Sequence, residues 1–181
     1  TRTAPGVVAV DAATGFAHAA IDVGFEALIP LARQQGGAAR SIRNSYTCGV
    51  WGYHTHRLAQ AGMRGIGFTK APASMAPSGG QKPVVGTNPF SLAVPDGQGG
   101  IAMQFDQSTT TVALGKITMA KAAGKSIPEG WALDADGKPT TDPAAALGGS
   151  LVSMGDYKGW GFGLMAELLA AGMTGGLVSR D

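Results

Sequence analysis

The stretch Phe90-Ser91-Leu92-Ala93-Val94-Pro95-Asp96-Gly97-Gln98-Gly99-Gly100-Ile101-Ala102-Met103-Gln104-Phe105 decides the fold class. Phe90 to Val94 and Ile101 to Phe105 read as two short strands, and Asp96 to Gly100 between them is hairpin-turn chemistry. The hairpin calls for antiparallel pairing in at least part of the sheet. Upstream, Gly86-Thr87-Asn88-Pro89 is a turn that feeds the first strand, after a Pro-, Ser- and Gly-rich loop from Ala71 to Pro83. Further back, Gly65 to Thr69 reads as a short strand and about Val50 to Ala61 as a helix capped by Gly62. Asn44-Ser45-Tyr46-Thr47-Cys48-Gly49 is a polar turn before that helix. Ala38 to Asn44 is a strand in which Arg40 and Arg43 have odd spacing, so that one of them points inward.

At the N-terminal end, Gly6 to Val10 is a strand ending at Asp11. From about Thr14 to Gln35, Ala17, Ala20, Ile21, Phe25, Leu28, Leu31 and Ala32 recur at three- and four-residue spacing, the mark of a helix. Gly36-Gly37 ends it, and Pro30 is positioned to kink it. Downstream of the hairpin, Thr110 to Ala123 reads as a helix ending at Gly124, and Ile127 to Asp142 as irregular with a turn at Asp134 to Gly137. A short helix follows over Ala144 to Leu147. A last helix from about Trp160 to Met173 puts Phe162, Met165, Leu168 and Leu169 on one face. Strands and helices are mixed, so the class is α/β or α+β, with helices covering a mixed sheet.

The bulk numbers narrow the function. At 181 residues the chain suits one domain with a real core or a tight pair of subdomains, and a single domain over residues 1–181 is the expectation. Its 29 glycines, without a repeat or a Gly/Ser tract, point to tight turns and close backbone approaches. A net charge of +2 with no Lys/Arg run argues against nucleic acid. The single cysteine, Cys48, excludes an intrachain disulfide and a cysteine zinc site, and fits a reducing compartment. No apolar run is long enough to span a bilayer. A cytoplasmic location and no metal are the expectations.

No dinucleotide fingerprint is present. Gly62-Met63-Arg64-Gly65-Ile66-Gly67 follows a helix, with its spacings reversed, and Gly159-Trp160-Gly161-Phe162-Gly163 has the wrong spacing. Gly124-Lys125-Ser126 mimics the end of a P-loop but lies at a helix end. The histidines are His18, His54 and His56. The i,i+2 pair on a helix faces two ways, which makes solvated or capping roles the simpler reading than a metal pair. Three turn-to-helix segments remain. Asn44 to Gly49, Asp106-Gln107-Ser108 and Gly155-Asp156-Tyr157-Lys158-Gly159 each present backbone N–H groups at a helix start, where an anion is favoured. Lys158 adds a point charge. Ordinary helix caps explain the same residues. Cys48 lacks a positioned base and is not read as a nucleophile.

Read together, Asn44-Ser45-x-x-x-Gly49, Gly86-Thr87-Asn88-Pro89, Asp106-x-Ser108, Gly115-Lys116-Ile117, Ile127-Pro128-x-Gly130-Trp131-Ala132, Thr140-Thr141-Asp142-Pro143 and Lys158-Gly159 fall in one order along nearly the whole chain. In that order they resemble the type-2 malate/L-lactate dehydrogenase family, and within it most of all the Δ1-piperideine-2-carboxylate/Δ1-pyrroline-2-carboxylate reductases. The resemblance implies a non-Rossmann domain, with a mixed, largely antiparallel sheet flanked by helices, that binds NADP or NAD in a homodimer. It implies cofactor contacts from Tyr46, Thr47, Cys48, Gly49, Val50, Asp106, Gln107, Ser108, Tyr157 and Lys158. Thr87, Asn88, Leu114 and Gly115 would lie near a small-molecule substrate, while Trp131 and Thr140 to Pro143 would be scaffold. For a 2′-phosphate, Arg40, Arg43 and Lys121 are the open candidates.

The family commonly has Asn-Ser-x-His-x-Gly, with the histidine as acid/base, and here that position is Thr47. A hydroxyl donates or relays a hydrogen bond but does not carry an imidazole's proton inventory at neutral pH. That inclines the expected reaction towards reduction of a cyclic imino acid, Δ1-pyrroline-2-carboxylate or Δ1-piperideine-2-carboxylate, to L-proline or L-pipecolate. Such an imine can be protonated on nitrogen before hydride arrives. The alternatives are a linear 2-oxo or 2-hydroxy acid and a nucleotide-binding domain without catalysis. The family also has an N-terminal helical Ser-His-Gly segment and a further C-terminal portion. The chain is therefore expected to be the central, cofactor-binding part of a longer enzyme, inactive alone.

Overall fold

The computed structural model describes residues 1–181. Arg2–Ala4 (β1) pairs antiparallel with Val7–Asp11 (β2), and β2 pairs in parallel with Ala39–Arg43 (β3). A parallel step needs a crossover, and Ala17–Gln35 (α1) supplies it. Its buried residues include Ala17, Ala20, Ile21, Phe25, Leu28 and Leu31, the spacing read from the sequence, and Gly36 ends it in the left-handed region at φ 78°. The helix starts at Ala17, not near Thr14, because Ala13 and Thr14 have φ of 48° and 64°. Their backbone is drawn away from helical geometry by the Thr14 N–H, which donates to the Asn44 carbonyl at 2.7 Å.

Trp51–Gln60 (α2) is followed by Gly65–Phe68 (β4), Phe90–Pro95 (β5) and Ile101–Gln107 (β6), a sheet in the order β4-β5-β6. The β5–β6 turn is the expected hairpin. Asp96 clasps it by accepting from Gln98 N at 2.7 Å and Gly100 N at 2.8 Å, and these bonds, Gln98 first, hold its pKa below the usual carboxylate value. So short a connection admits only antiparallel pairing. Helix α1 buries Ile21 and Phe25 with Ile29, Ala38, Ile42, Cys48, Trp51 and Leu58 in one apolar cluster. Arg40 is the arginine that turns inward. Its guanidinium lies 4.6 Å from the Phe25 ring centroid and donates to the Ile21 carbonyl at 3.2 Å. Burial without a carboxylate partner, with Arg57 nearby, lowers its pKa to about 10. Arg43 points out and pairs with Asp11 at 3.1 Å.

These elements, but for the strand-end residues Phe68, Phe90 and Gln107, belong to one compact unit, Thr1–Gly67, Ser91–Asp106 and Ala170–Gly176; a second comprises Phe68–Phe90, Gln107–Leu169 and Leu177–Asp181. In the second, Leu114–Ala122 (α3), Ala132–Leu133 (β7), Pro139–Thr140 (β8), Pro143–Gly148 (α4), Ser150–Leu151 (β9) and Tyr157–Glu167 (α5) follow in order. A π-helical turn, Leu168–Gly172, comes next in the chain, and its residues from Ala170 on belong to the first unit. Strand β7 pairs antiparallel with both β8 and β9. Val112, Ile117, Ile127, Ala132, Ala146 and Leu151 form the core, with Trp131 packed on it. Asp142 caps α4 through the Ala144 N–H at 2.9 Å, with Pro143 at the first helical position. Trp131 and Thr140 to Pro143 are thus structural residues here.

Three expectations change. The stretch 127–142 is not wholly irregular, since it contributes β7 and β8. Helix α3 starts at Leu114 and not Thr110, because the preceding residues pair across: Thr109 N donates to Thr87 O at 2.8 Å and Thr111 N to Val152 O at 2.8 Å. On α5 the buried residues are Gly159, Gly163, Ala166 and Glu167, whereas Phe162 and Leu168 are 44% and 61% exposed. Backbone closeness selects that face. A Cβ on Gly159 would lie 2.1 Å from the Met154 carbonyl oxygen, and one on Gly163 would lie 2.8 Å from Met75 Cε. Phe162 instead stacks on Phe90, with centroids 5.4 Å apart. The class is the expected one, α/β with helices against sheets, but the strands are distributed over three three-stranded sheets. No helix is long and apolar enough to cross a membrane.

Candidate functional site

In the first unit the β3–α2 connection, residues 44–50, carries Tyr46, Thr47, Cys48, Gly49 and Val50. The β2–α1 loop splints it. Tyr46 N donates to Gly15 O at 2.8 Å and Ala17 N to Thr47 O at 3.3 Å. Asn44, at φ 52°, donates from Nδ2 to both Asp11 carboxylate oxygens at 3.1 Å. Tyr46 is 71% exposed and meets the Phe16 ring edge-on at 5.6 Å. Thr47 is exposed, and its Oγ1 accepts from Gly49 N at 3.2 Å, which leaves its hydroxyl proton available to donate.

Neither Ser45 nor Thr47 caps α2. The Asp106 carboxylate does so from β6, accepting from Gly52 N at 2.6 Å. This is charge-assisted capping at the positive end of a helix. Asp106 is therefore brought to the start of α2, beside the 44–50 connection. Gln104, two residues before it, donates to Gly52 O at 3.0 Å and bonds His56 Nδ1 at 2.8 Å. Thr55 Oγ1 and Ser91 Oγ are 2.6 Å apart, and Ser91 Oγ donates to Phe105 O at 2.7 Å.

His54 is not solvated, against the sequence expectation. It is 1% exposed. Its Nε2 lies 2.9 Å from the Cys48 carbonyl, and its Nδ1 has no partner. A carbonyl only accepts, so the neutral ring carries its proton on Nε2. His18, Trp51 and Tyr53 surround it at ring-centroid distances of 5.3, 5.4 and 5.2 Å. Burial holds its pKa below the ordinary imidazole value. The Cys48 bond pulls the other way, and His18, Arg57 and Arg40 add to the lowering. The folded state thus binds fewer protons than the unfolded chain. Stability contributed by neutral His54 is fully present above the unfolded imidazole pKa of about 6.5 and is lost as pH falls below it towards the lower folded value. Urea denaturation across that window is expected to show falling stability with falling pH, with a shallower slope in His54→Gln. Parallel slopes would show that His54 does not titrate in this way.

In the second unit, Gln107 is the last residue of β6 and Ser108 follows it. Gln107 is exposed, with Nε2 3.8 Å from Met154 Sδ, and Ser108 Oγ donates to Thr110 O at 3.1 Å. Tyr157 and Lys158 form the exposed first turn of α5. Asp156 just before them has φ 56° and ψ −129°, a conformation disfavoured for a residue with a side chain. It is held by the Ser78 hydroxyl, which donates to its carboxylate, and by Ser153 Oγ, which donates to its carbonyl at 2.7 Å. Lys158 is thus an exposed cationic residue in the first turn of a helix, the end at which an anion is favoured. Leu114 and Gly115 open α3 and are exposed. Thr87 is half-buried, and its carbonyl accepts from Thr109 N at 2.8 Å and Thr109 Oγ1 at 3.0 Å. Asn88 is fully buried. It can shape its surroundings from beneath but presents no surface of its own.

The sequence reading missed Glu167, His54 and Ser91. For His54 and Ser91 a signal existed in the small residues Gly52, Thr55 and Ala59, which mark the buried stripe of α2. For Glu167 the file Gly159, Gly163, Ala166 marks the buried stripe of α5. Of the candidates for a 2′-phosphate, Arg40 is turned onto Phe25 and Arg43 onto Asp11.

A family model described as Malate/L-lactate dehydrogenase matches residues 1–181. Over 174 residues the chain is 49% identical to the (2R)-3-sulfolactate dehydrogenase (NADP(+)) of Chromohalobacter salexigens, covering 96% of this chain and 52% of that protein. Over 180 residues it is 41% identical to the Δ1-pyrroline-2-carboxylate reductase of Ancylobacter novellus, covering 99% and 52%. The crystal structure of Δ1-piperideine-2-carboxylate reductase from Pseudomonas syringae superposes with a TM-score of 0.95 at 34% identity, over 100% of this chain and 55% of that one. The chain spans about half the length of the curated relatives it matches.

Proposed function

Since this chain belongs to the malate/L-lactate dehydrogenase family, we propose that it is the cofactor-binding portion of an NAD(P)H-dependent oxidoreductase that works as a homodimer on a small 2-imino or 2-oxo acid. The cofactor reading is NADP, as in the name of the sulfolactate relative. Nicotinamide, when bound, supplies the hydride. The residues Tyr46 to Val50, Asp106, Gln107, Ser108, Tyr157 and Lys158 hold and orient the cofactor. Lys158 contributes charge at the start of α5, where an anion is already favoured. Thr87, Leu114 and Gly115 face the substrate, with Asn88 supporting Thr87 from below. Thr47 acts only as a hydrogen-bond donor, since its hydroxyl does not exchange protons near neutral pH as an imidazole does.

The observation that carries the substrate reading is Thr47 at the position where the family commonly has histidine. A cyclic imine protonated on nitrogen asks less of a side-chain acid than a carbonyl, whose alkoxide must be protonated as it forms. The reductases that match at 41% identity and with a TM-score of 0.95 support it. A second reading, a linear 2-oxo acid with a 3-sulfonate, has the 49% identity to the sulfolactate enzyme in its favour. Turnover of the full-length protein with NADPH on both substrate classes tests the two against each other. Light scattering of the same preparation tests the dimer, and a monomeric mass would contradict it.

A further inference from the structure

We propose that Glu167 is a positioning residue, whose buried carboxylate clamps the Gly86-Thr87-Asn88-Pro89 turn in the placement the reaction needs. Glu167 is 6% exposed, and neither ion pair of the chain involves it. Three donors converge on it. Ser179 N donates to Oε1 at 2.5 Å, while the Ser179 hydroxyl and Asn88 Nδ2, the latter at 2.7 Å, donate to Oε2. A carboxylate meets that demand because both of its oxygens only accept.

Asn88 passes the constraint to the turn. Its second Nδ2 proton goes to Gly163 O at 3.0 Å, and its Oδ1 accepts from Ala71 N at 2.9 Å. Every hydrogen-bonding group of its side chain is therefore engaged. Its φ of 33° lies in the left-handed region, a backbone that persists only when its surroundings hold it. From the other side, Thr109 holds the Thr87 carbonyl through both its N–H and its hydroxyl. Ser179 closes the frame, as its Oγ accepts from Gly86 N at 3.2 Å and its carbonyl from Ala73 N at 2.8 Å. Glu167 ends α5, the helix whose first turn carries Lys158. One buried carboxylate thus ties the substrate turn to the helix of the cofactor lysine. The inference rests on the oxidoreductase reading for its kinetic part only.

The test is Glu167→Gln in the full-length protein. Its amide NH2 turns a donor towards Ser179 N or towards Asn88 Nδ2, so the clamp opens. A turn misplaced by about 1 Å costs up to about a hundredfold in rate. The expected result is a fall in kcat/KM of at least about tenfold, with NADPH affinity within about twofold of wild type. The primary isotope effect on kcat with NADPH deuterated at the transferred position is expected to rise, as hydride transfer becomes rate-limiting. Amide exchange at Ala71, Gly86 and Thr109 is expected to quicken while α3 stays protected. Ser179→Ala, which removes one donor, is the milder variant if Glu167→Gln does not fold; it should show a smaller fall with the same isotope signature. Unchanged kcat/KM and isotope effect in the folded variant, or a loss of stability alone, would overturn the proposal. A wild type that reduces neither imines nor 2-oxo acids would refute the functional reading. The exchange at the three amides would then still decide the clamp.

Discussion

Gly159→Ala is expected to be among the most damaging single changes in the chain, costing about 3 kcal/mol or more of stability in the unit that contains α5. The added Cβ would lie 2.1 Å from the Met154 carbonyl oxygen and 2.8 Å from the Met154 backbone nitrogen. Both atoms are main chain, so no side-chain rotation relieves the overlap. Relief requires moving the 153–156 turn, whose Asp156 already holds a disfavoured backbone between Ser78 and Ser153. Gly161, with nothing within 4 Å of its Cβ position, is the matched control on the same helix. Gly161→Ala is expected to be neutral or slightly stabilising, because alanine is favoured over glycine inside a helix by up to about 1 kcal/mol. Denaturation midpoints of the two variants check this, and equal losses would show that the α5 contact is looser than described.

Lys158→Ala in the full-length protein is expected to weaken NADPH binding by about tenfold or more. A charge-assisted hydrogen bond contributes roughly 1.5–3 kcal/mol. The side chain is exposed on the first turn of α5, so its removal creates no cavity and leaves the fold intact. Calorimetry with NADPH reads the loss, and thermal denaturation confirms that the melting temperature is kept. Unchanged affinity would remove Lys158 from the cofactor contacts. Lys158→Arg separates charge from shape: an ammonium acting as a point charge is replaced in part by guanidinium, whereas a closely fitted one is not.

Much of the architecture was legible because it follows local rules. The Asp96 to Gly100 turn announced the β5–β6 hairpin, and the spacing of Ala17, Ile21, Phe25 and Leu28 announced α1. The odd spacing of Arg40 and Arg43 announced one inward arginine, and Arg40 is that residue. The two-residue strands β7, β8 and β9 were not legible. Two residues carry no periodicity, and their pairing is set by distant partners. The face of α5 was misread because a file of glycine and alanine is buried for closeness, not hydrophobicity.

The candidate site divides in the same way. The 44–50 connection and the 155–159 segment were located from turn-to-helix chemistry and the family resemblance. Their supports were not, because they come from residues far along the chain or from a histidine that reads as solvated. Asp106 reaches Gly52, Ser78 reaches Asp156, and His54 reaches the Cys48 carbonyl. Polar side chains that serve buried backbone groups look like surface residues in a sequence.

The most direct test of the account is a comparison of kcat/KM for the full-length protein with NADPH on Δ1-pyrroline-2-carboxylate, Δ1-piperideine-2-carboxylate, pyruvate, oxaloacetate and 3-sulfopyruvate. The highest value is expected for a cyclic imine, because on the proposed reading residue 47 lies beside the substrate, and as a threonine it offers a hydrogen bond but no imidazole acid for a carbonyl. Faster turnover of any of the linear 2-oxo acids would contradict it.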